Sequence, residues 1–301
     1  MNENVIETRN VSKIYGKNKA VKNISMHVPQ GAIYGIIGKN GAGKTTLMKM
    51  LTGLSKCSEG EIILFDEENT PVSYAQKRIG LLIEAPGVYE NMTAYDNLKL
   101  KAIGMGVYNT QDIKDIIDLV GLRNAGNKKV KNFSLGMKQR LGIGLALIGS
   151  PDLLILDEPI NGLDPQGIIE VRQLIEKLNQ EKNITVLISS HILVELYKVV
   201  THIGIIDKGE LVIELTKHEL DEKCKKKLMI KTNEPNRVAV ILEEMQLNEY
   251  SISPEGIVYL YDGLDRVSEI NIKLVQEGIM ISALEIQNDN LEDFYMSITE
   301  D

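Results

Sequence analysis

Short apolar runs alternate with segments of helical periodicity through residues 1–215 of the chain. Four of these runs are apolar enough to be buried strands, at residues 32–37, 153–156, 185–189 and 203–206. Alternating strands and helices favour an α/β fold, because parallel neighbouring strands need a crossover between them. The pattern therefore predicts a largely parallel sheet as the core of this part of the chain.

Two regions interrupt this alternation. Residues 5–28 and 60–65 contain short segments of strand character and predict a smaller, antiparallel β layer. Residues 96–133 are mostly helical in pattern, and residues 112–119 place their apolar side chains on one helical face. We therefore expect a β layer and a helical subdomain beside the parallel core.

A stretch rich in Lys, Glu and Asp at residues 216–227 marks a boundary, and its charge predicts a solvated linker. Beyond it, strands are expected at residues 228–232, 250–253, 257–261 and 279–286, and helices at residues 237–245, 265–276 and 291–298. The order strand-helix-strand-strand-helix-strand is that of a split βαβ unit. Residues 228–301 are therefore predicted to form a small α+β accessory domain, in which we find no motif of known chemistry.

The composition is that of a globular protein, with 43% hydrophobic and 25% charged residues. The formal net charge of −8 argues against a nucleic-acid partner, because phosphate binding depends on Lys and Arg. No apolar stretch approaches the ~20 residues that cross a bilayer, and the polar N-terminal segment does not resemble a signal peptide. Cys57 and Cys224 lack metal-ligand spacing and are expected to be reduced thiols.

A glycine-rich loop follows the first buried strand and matches the phosphate-binding pattern G-x-x-x-x-G-K-S/T. Its residues are Gly38, Lys39, Asn40, Gly41, Ala42, Gly43, Lys44, Thr45 and Thr46. The glycines let backbone N–H groups face a phosphate, and the following helix adds its positive N-terminal dipole. Lys44 is then expected to reach the β- and γ-phosphates and Thr45 to hold Mg²⁺. The strand before and the helix after it argue against a chance glycine-rich turn.

Two carboxylates end the apolar run at residues 153–156. A buried parallel strand would present Asp157 and Glu158 at its C-terminal end, beside the phosphates. Asp157 can hold Mg²⁺, directly or through water, and Glu158 can act as the general base on the attacking water. Alone, the pair would favour an ordinary strand that ends in a solvated acidic turn, and the loop alone leaves kinases, GTPases and many motors open.

A further segment, at residues 132–140, narrows the class of P-loop protein. Its sequence is Asn-Phe-Ser-Leu-Gly-Met-Lys-Gln-Arg. With the motifs above, the chain resembles the nucleotide-binding subunits of ABC transporters over residues 4–215. Ser134 and Gly136 match two positions of the Leu-Ser-Gly-Gly-Gln signature of that family, whereas its other positions are changed to Phe133, Leu135 and Met137. The resemblance implies that Ser134, Gly136 and the following helix N-terminus meet a γ-phosphate.

The resemblance implies roles for three further residues. Tyr15 matches the aromatic residue that stacks on adenine, Asp164 the aspartate that couples two ATP sites across a dimer, and His191 the switch histidine that contacts the γ-phosphate. An exposed turn tyrosine and a structural histidine are the ordinary alternatives for Tyr15 and His191. The implied fold is an ABC-type P-loop NTPase domain with a parallel sheet core, an antiparallel β layer and a helical subdomain.

Glu84 is the most informative departure, because the family usually has a Mg²⁺-ligating glutamine at this position, in the Q-loop. A carboxylate is at least as good a ligand for Mg²⁺ as an amide. Glutamate here, together with the altered signature, resembles the ATPase subunits of bacterial bacitracin-resistance and lantibiotic self-protection exporters. A neutral change in a transporter of another substrate is the alternative.

Taken together, the resemblance implies an ATP-hydrolysing subunit of a bacterial ABC exporter, with ATP and Mg²⁺ as cofactors. Its expected partners are a second copy of itself, in an ATP-sandwich dimer, and integral membrane permease subunits, with no nucleic acid. The expected location is the cytoplasmic face of the membrane. A soluble ABC protein acting on ribosomes or DNA, and a sensing module centred on the C-terminal domain, are the rival classes. The transported substrate is not readable, because permease subunits would select it.

Overall fold

The computed structural model describes residues 4–66, 75–224, 226–288 and 291–299. The chain separates into two compact units, Met1–Lys217 and His218–Asp301. The boundary between the two units falls inside the stretch that the sequence marks by its charge. The first unit has two sheets and the second has one, and each unit has its own buried core.

The first unit contains the strands β1 (Asn4–Tyr15), β2 (Asn18–Ile24), β3 (His27–Pro29), β4 (Ile33–Ile37), β5 (Glu59–Leu64), β6 (Ile79–Leu82), β7 (Leu153–Leu156), β8 (Thr185–Ser190), β9 (His202–Asp207) and β10 (Glu210–Thr216). Its helices are α1 (Lys44–Leu51), α2 (Ala94–Gly104), α3 (Thr110–Leu119), α4 (Leu135–Ala146), α5 (Pro165–Lys182) and α6 (Leu193–Tyr197). Short 3₁₀ turns lie at Gln76–Arg78, Arg123–Ala125 and Val130–Asn132.

The central sheet of the first unit has the order β10-β9-β4-β8-β7-β6. Its pairs are parallel from β9 to β6, and β10 is antiparallel to β9. Every residue of β4, β7 and β8 is buried, which explains why these strands are continuous apolar runs rather than alternating ones. Because these three strands are adjacent and parallel, the loops that follow them meet at one edge of the sheet.

The antiparallel layer is a second sheet, in which β1 pairs with β2, β3 and β5. The strand β1 has 12 residues and is longer than the short strands expected there. Apolar residues of this layer and of α1 share one core with the central sheet, among them Ile6, Val28, Leu47 and Leu51. The predicted α/β architecture with an added antiparallel layer is therefore confirmed.

The predicted helical region contains α2, α3 and α4. A capping box starts α2, because Thr93 accepts a hydrogen bond from the Asp96 N–H while Asp96 accepts one from the Thr93 N–H. Ser134 caps α4 by accepting from the Met137 N–H. These side-chain caps satisfy N–H groups that a helix start leaves without partners.

The second unit contains β11 (Lys226–Thr232), β12 (Tyr250–Ile252), β13 (Ile257–Leu260) and β14 (Ile281–Asn288), with the helices α8 (Pro235–Glu244), α9 (Val267–Gln276) and α10 (Leu291–Thr299). The strand order is β12-β13-β11-β14, and each neighbouring pair is antiparallel. Apolar residues of β11, β13, α8 and α9 form its core, including Leu228, Leu242, Val258 and Ile270. This is the split βαβ arrangement that the sequence predicts.

The stretch expected to be a linker, residues 216–227, is instead largely regular structure. Strand β10 ends at Thr216, helix α7 spans Lys217–Lys223, and β11 begins at Lys226. The fully buried Leu220 anchors this helix, and its charges suit the helix dipole, with Glu219 in the first turn and Lys223 in the last. Among the described helices of the chain, none combines the length and apolar character needed to cross a membrane.

Candidate functional site

The loop between β4 and α1 takes a backbone path that requires glycine. Gly41 and Gly43 have φ angles of +86° and +107°. A Cβ on Gly38 would lie 2.3 Å from the carbonyl oxygen of Ile206, and one on Gly43 would lie 2.6 Å from that of Ala20. Because Gly43 is the N-cap of α1 and has no side chain to cap it, the first N–H groups of α1 remain available to an anionic ligand.

The side chain of Lys44 is buried at the centre of this loop and is only 6% exposed. Its ammonium donates to the carbonyl oxygens of Gly38 at 2.7 Å and Lys39 at 3.3 Å. It also lies 3.2 Å from Oε1 of Glu158. The loop, its lysine and the second of the two acids are therefore in direct contact.

Asp157 lies between two hydroxyl groups from neighbouring elements. The Thr45 hydroxyl donates to Oδ2 of Asp157 at 2.7 Å, and the Ser189 hydroxyl donates to Oδ1 at 2.6 Å. The side chains come from α1, from the end of β7 and from β8. A hydroxyl and a carboxylate side by side are hard oxygen donors of the kind that Mg²⁺ prefers.

Glu158 follows immediately and has a backbone φ of +47°, an uncommon value for a residue other than glycine. Its Oε2 lies 2.8 Å from Nδ1 of His191, and its Oε1 is the atom that faces Lys44. Oε1 is buried and accepts no hydrogen bond within the described part of the chain, although the ion pair with Lys44 is close. This oxygen retains the capacity to accept a hydrogen bond from a bound molecule.

Glu84 is not part of this cluster. Its carboxylate is 66% exposed, and its Oε1 lies 2.5 Å from the ammonium of Lys49 on α1. The hydrogen bond that Lys49 donates to Glu84 is the largest influence on the lysine and raises its pKa. The structure thus pairs Glu84 with a cation of the chain itself, rather than with Thr45 and Asp157.

Tyr15 is the last residue of β1, and half of its surface is exposed. The ammonium of Lys13 lies 5.0 Å from the centroid of its ring, within the range of a cation–π contact.

Ser134, Gly136 and Asp164 lie at the starts of two consecutive helices. Ser134 caps α4, while Asp164 caps α5 by accepting from the Gly167 N–H at 3.1 Å. The two starts adjoin, because a Cβ on Gly162 would lie 3.3 Å from Cδ2 of Leu135. The signature segment and the loop after the acids therefore lie against each other.

Two residues that contact the predicted site residues, Ser189 and Lys49, are not identified from the sequence. A signal for Ser189 was present, since a serine in a buried parallel strand must find a hydrogen-bond partner. Lys49 carries no such signal, because lysines on helix surfaces are common and the contact with Glu84 spans 35 positions of the chain.

Comparisons with known proteins agree with this geometry. The ABC transporter family model matches residues 21–161. The bacitracin transport ATP-binding protein BcrA of Bacillus licheniformis is 41% identical over 296 residues, covering 98% of this chain and 97% of that protein. The lantibiotic transport ATP-binding protein SrtF of Streptococcus pyogenes is 46% identical over 210 residues, covering 70% of this chain and 90% of that protein.

Solved structures give the same result for the fold. The ADP conformation of an ATP-binding cassette of an ABC transporter superposes with a TM-score of 0.66 at 25% identity, covering 73% of this chain and 94% of that one. A dimeric, post-hydrolysis cassette bound to ADP and Pi gives a TM-score of 0.62 at 25% identity, covering 70% of this chain and 98% of that one. The chain therefore belongs to the ATP-binding subunits of ABC transporters, the ATPases that couple ATP hydrolysis to transport.

Proposed function

We propose that this chain is the ATPase subunit of an exporter that removes peptide antibiotics of the bacitracin or lantibiotic kind. The observation that carries the proposal is the 41% identity to the bacitracin transport ATP-binding protein, which extends over 98% of this chain. The similarity includes the second unit, whereas the match to the lantibiotic transport protein spans 210 residues. Glu84 and the changed signature support the same subgroup.

The residues of the loop fit a nucleoside triphosphate. The backbone N–H groups of residues 39–46 and the ammonium of Lys44 hold the phosphates, and the glycines leave room for them. The exposed ring of Tyr15 stacks on adenine. Lys44 must exchange its contact with Glu158 for phosphate oxygens, which leaves the Glu158 carboxylate free to accept a proton.

The oxygens of Thr45 and Asp157 fit Mg²⁺, and we assign the metal site to them together with Glu84. Bound there, the ion neutralises charge on the β- and γ-phosphates. Glu84 must leave Lys49 to contribute its carboxylate, so its part in the site depends on an exposed ion pair that is readily broken.

Glu158 is the proposed general base, and it takes a proton from the attacking water. His191 lies 2.8 Å from the carboxylate of Glu158, where it orients this group and contacts the γ-phosphate. Holding the carboxylate in position before the reaction contributes to the rate, because phosphoryl transfer depends chiefly on positioning and electrostatics.

We propose that Ser134, Gly136 and Asp164 serve the site of a second copy. Ser134 and Asp164 cap two helix starts that lie against each other, and related cassettes occur as dimers. The dimer in turn associates with membrane permease subunits at the cytoplasmic face of the membrane. The similarity to transport ATP-binding proteins supports this assignment.

The test is a resistance assay in a susceptible bacterium that expresses the full chain together with membrane permease subunits from the same source. Minimal inhibitory concentrations are measured for bacitracin, for a lantibiotic and for an antibiotic of unrelated chemistry. We expect higher resistance to one of the peptides, and no resistance when the chain carries Glu158→Gln. Resistance to neither peptide, with normal expression of both proteins, would contradict the proposed substrate class.

A further inference from the structure

Ser189 connects the two acids of the site through a single oxygen atom. The residue is fully buried in β8, the strand next to β7, from which the two acids emerge. Its hydroxyl donates to Oδ1 of Asp157 at 2.6 Å and accepts the N–H of Glu158 at 2.9 Å. One side chain therefore bonds the carboxylate of one acid and the backbone of the other.

The first of these bonds fixes the orientation of Asp157. A serine hydroxyl has one proton, and here it is donated to Oδ1. The other oxygen, Oδ2, then points toward Thr45, which donates to it at 2.7 Å. Without the bond from Ser189, the Asp157 carboxylate could rotate about its terminal torsion, a broad and weakly restrained one.

The second bond acts on the backbone of Glu158. The φ of +47° is unfavourable for a residue with a Cβ, and such conformations persist where their surroundings impose them. The Ser189 oxygen accepts the N–H of this peptide and so holds it in place. The Glu158 side chain is thereby directed toward Lys44 and His191.

We propose that Ser189 is a positioning residue, which aims Asp157 at the metal site and Glu158 at the water site at the same time. The inference rests on the roles proposed above for these two acids. Ser189 need not touch the nucleotide or the metal, because it acts only through its two hydrogen bonds. Partners of this kind, one shell behind metal ligands, typically change metal affinity or activity by about 10- to 100-fold when removed.

The next residue provides a matched control. Ser190 is also fully buried in β8, but its hydroxyl accepts the N–H of Ile192 at 2.9 Å and lies 3.5 Å from the Ile192 carbonyl oxygen. Ser190→Ala therefore removes the same atom from the same strand without changing a bond to either acid. A merely structural requirement for serine would affect both variants alike.

The experiment compares Ser189→Ala, Ser189→Thr and Ser190→Ala in the purified full-length chain. The readouts are the affinity for Mn²⁺ in the presence of ATP, measured by electron paramagnetic resonance, the affinity for ATP in EDTA, and the kcat and KM for ATP. Thermal unfolding of each variant is measured in parallel.

Ser189→Ala is expected to weaken Mn²⁺ binding and to lower kcat by about 10-fold or more, with ATP affinity in EDTA within about twofold of the parent. Ser190→Ala should leave the Mn²⁺ affinity, the kcat and the ATP affinity in EDTA within about twofold of the parent. Ser189→Thr should retain more Mn²⁺ affinity than Ser189→Ala, because it keeps the hydroxyl.

The proposal is overturned if Ser189→Ala lowers the Tm yet matches Ser190→Ala in Mn²⁺ affinity and kcat. The variant Glu158→Gln tests the base separately. If it turns over normally, the role of Glu158 is wrong, and the half of the proposal that concerns Glu158 fails with it. Weaker Mn²⁺ binding in Ser189→Ala would still support the positioning of Asp157.

Discussion

The ammonium of Lys49 lies 2.5 Å from Oε1 of Glu84, so the glutamate that replaces the usual glutamine of the family has a positively charged partner within its own chain. Lys49 belongs to α1, the helix that begins with the phosphate loop. An amide at position 84 would need no such partner. The pair therefore balances the charge of Glu84 beside the proposed site for triphosphate and metal.

Glu84→Gln is predicted to weaken the binding of Mg²⁺ rather than to destabilise the fold. The pair is exposed, so its loss should change the free energy of unfolding by less than about 1 kcal/mol. The Mg²⁺ concentration for half-maximal ATPase activity should rise several-fold, because an amide oxygen carries no full charge. Lys49→Met is the matched variant, and it should leave this concentration unchanged or lower it by freeing Glu84.

The measurement is ATPase activity against free Mg²⁺ at saturating ATP. Identical Mg²⁺ curves for the parent and Glu84→Gln would show that the carboxylate has no part in the metal site.

Gly43→Ala is predicted to destabilise the first unit, because the backbone at Gly43 has a φ of +107° and a Cβ would lie 2.6 Å from the Ala20 carbonyl oxygen. Gly41→Ala is the control, since Gly41 also has a positive φ, of +86°, but has no atom within 4 Å of the added Cβ. Urea unfolding should show that Gly43→Ala lowers the free energy of unfolding by about 1–2 kcal/mol more than Gly41→Ala does. Equal losses for the two variants would show that the close approach to Ala20 is unimportant.

Much of the site is predictable from the sequence because its motifs are local. The loop at residues 38–46 carries its own backbone requirements, and the acids follow a buried strand directly. The predicted fold and family are confirmed, while the roles of the individual residues stay predictions.

The sequence does not predict contacts between segments that are distant along the chain. The hydrogen bonds of Ser189 to the acids cross more than 30 positions, and that of Lys49 to Glu84 crosses 35. A high local charge can also mislead. The charge of residues 216–227 predicts a linker, but these residues include a helix whose Leu220 is fully buried.

The start of α2 is predicted to contribute stability that depends on pH. Hydrogen bonds from the hydroxyl and the N–H of Thr93 lower the pKa of Asp96. A lowered pKa in the folded state means that the ionised group stabilises the fold above the pKa of the unfolded chain, about 3.9, and that this stability is lost as the pH falls through the folded value.

Asp96→Asn should therefore cost roughly 0.5–1 kcal/mol at pH 7, and the difference from the parent should shrink as the pH is lowered below about 4. Urea unfolding of both proteins at a series of pH values measures it. A difference that stays constant down to acid pH would contradict the account, because the effect would then not depend on the ionised carboxylate.

The central claim is that Glu158 is the base of an ATP site completed by a second copy of the chain. Light scattering of Glu158→Gln with ATP and Mg²⁺, run beside an assay of phosphate release, tests both parts together. The account predicts almost no phosphate release and a stable particle of twice the 33.6 kDa chain mass that forms only with ATP. Phosphate release at the parent rate, or a particle that stays monomeric at saturating ATP, would contradict it.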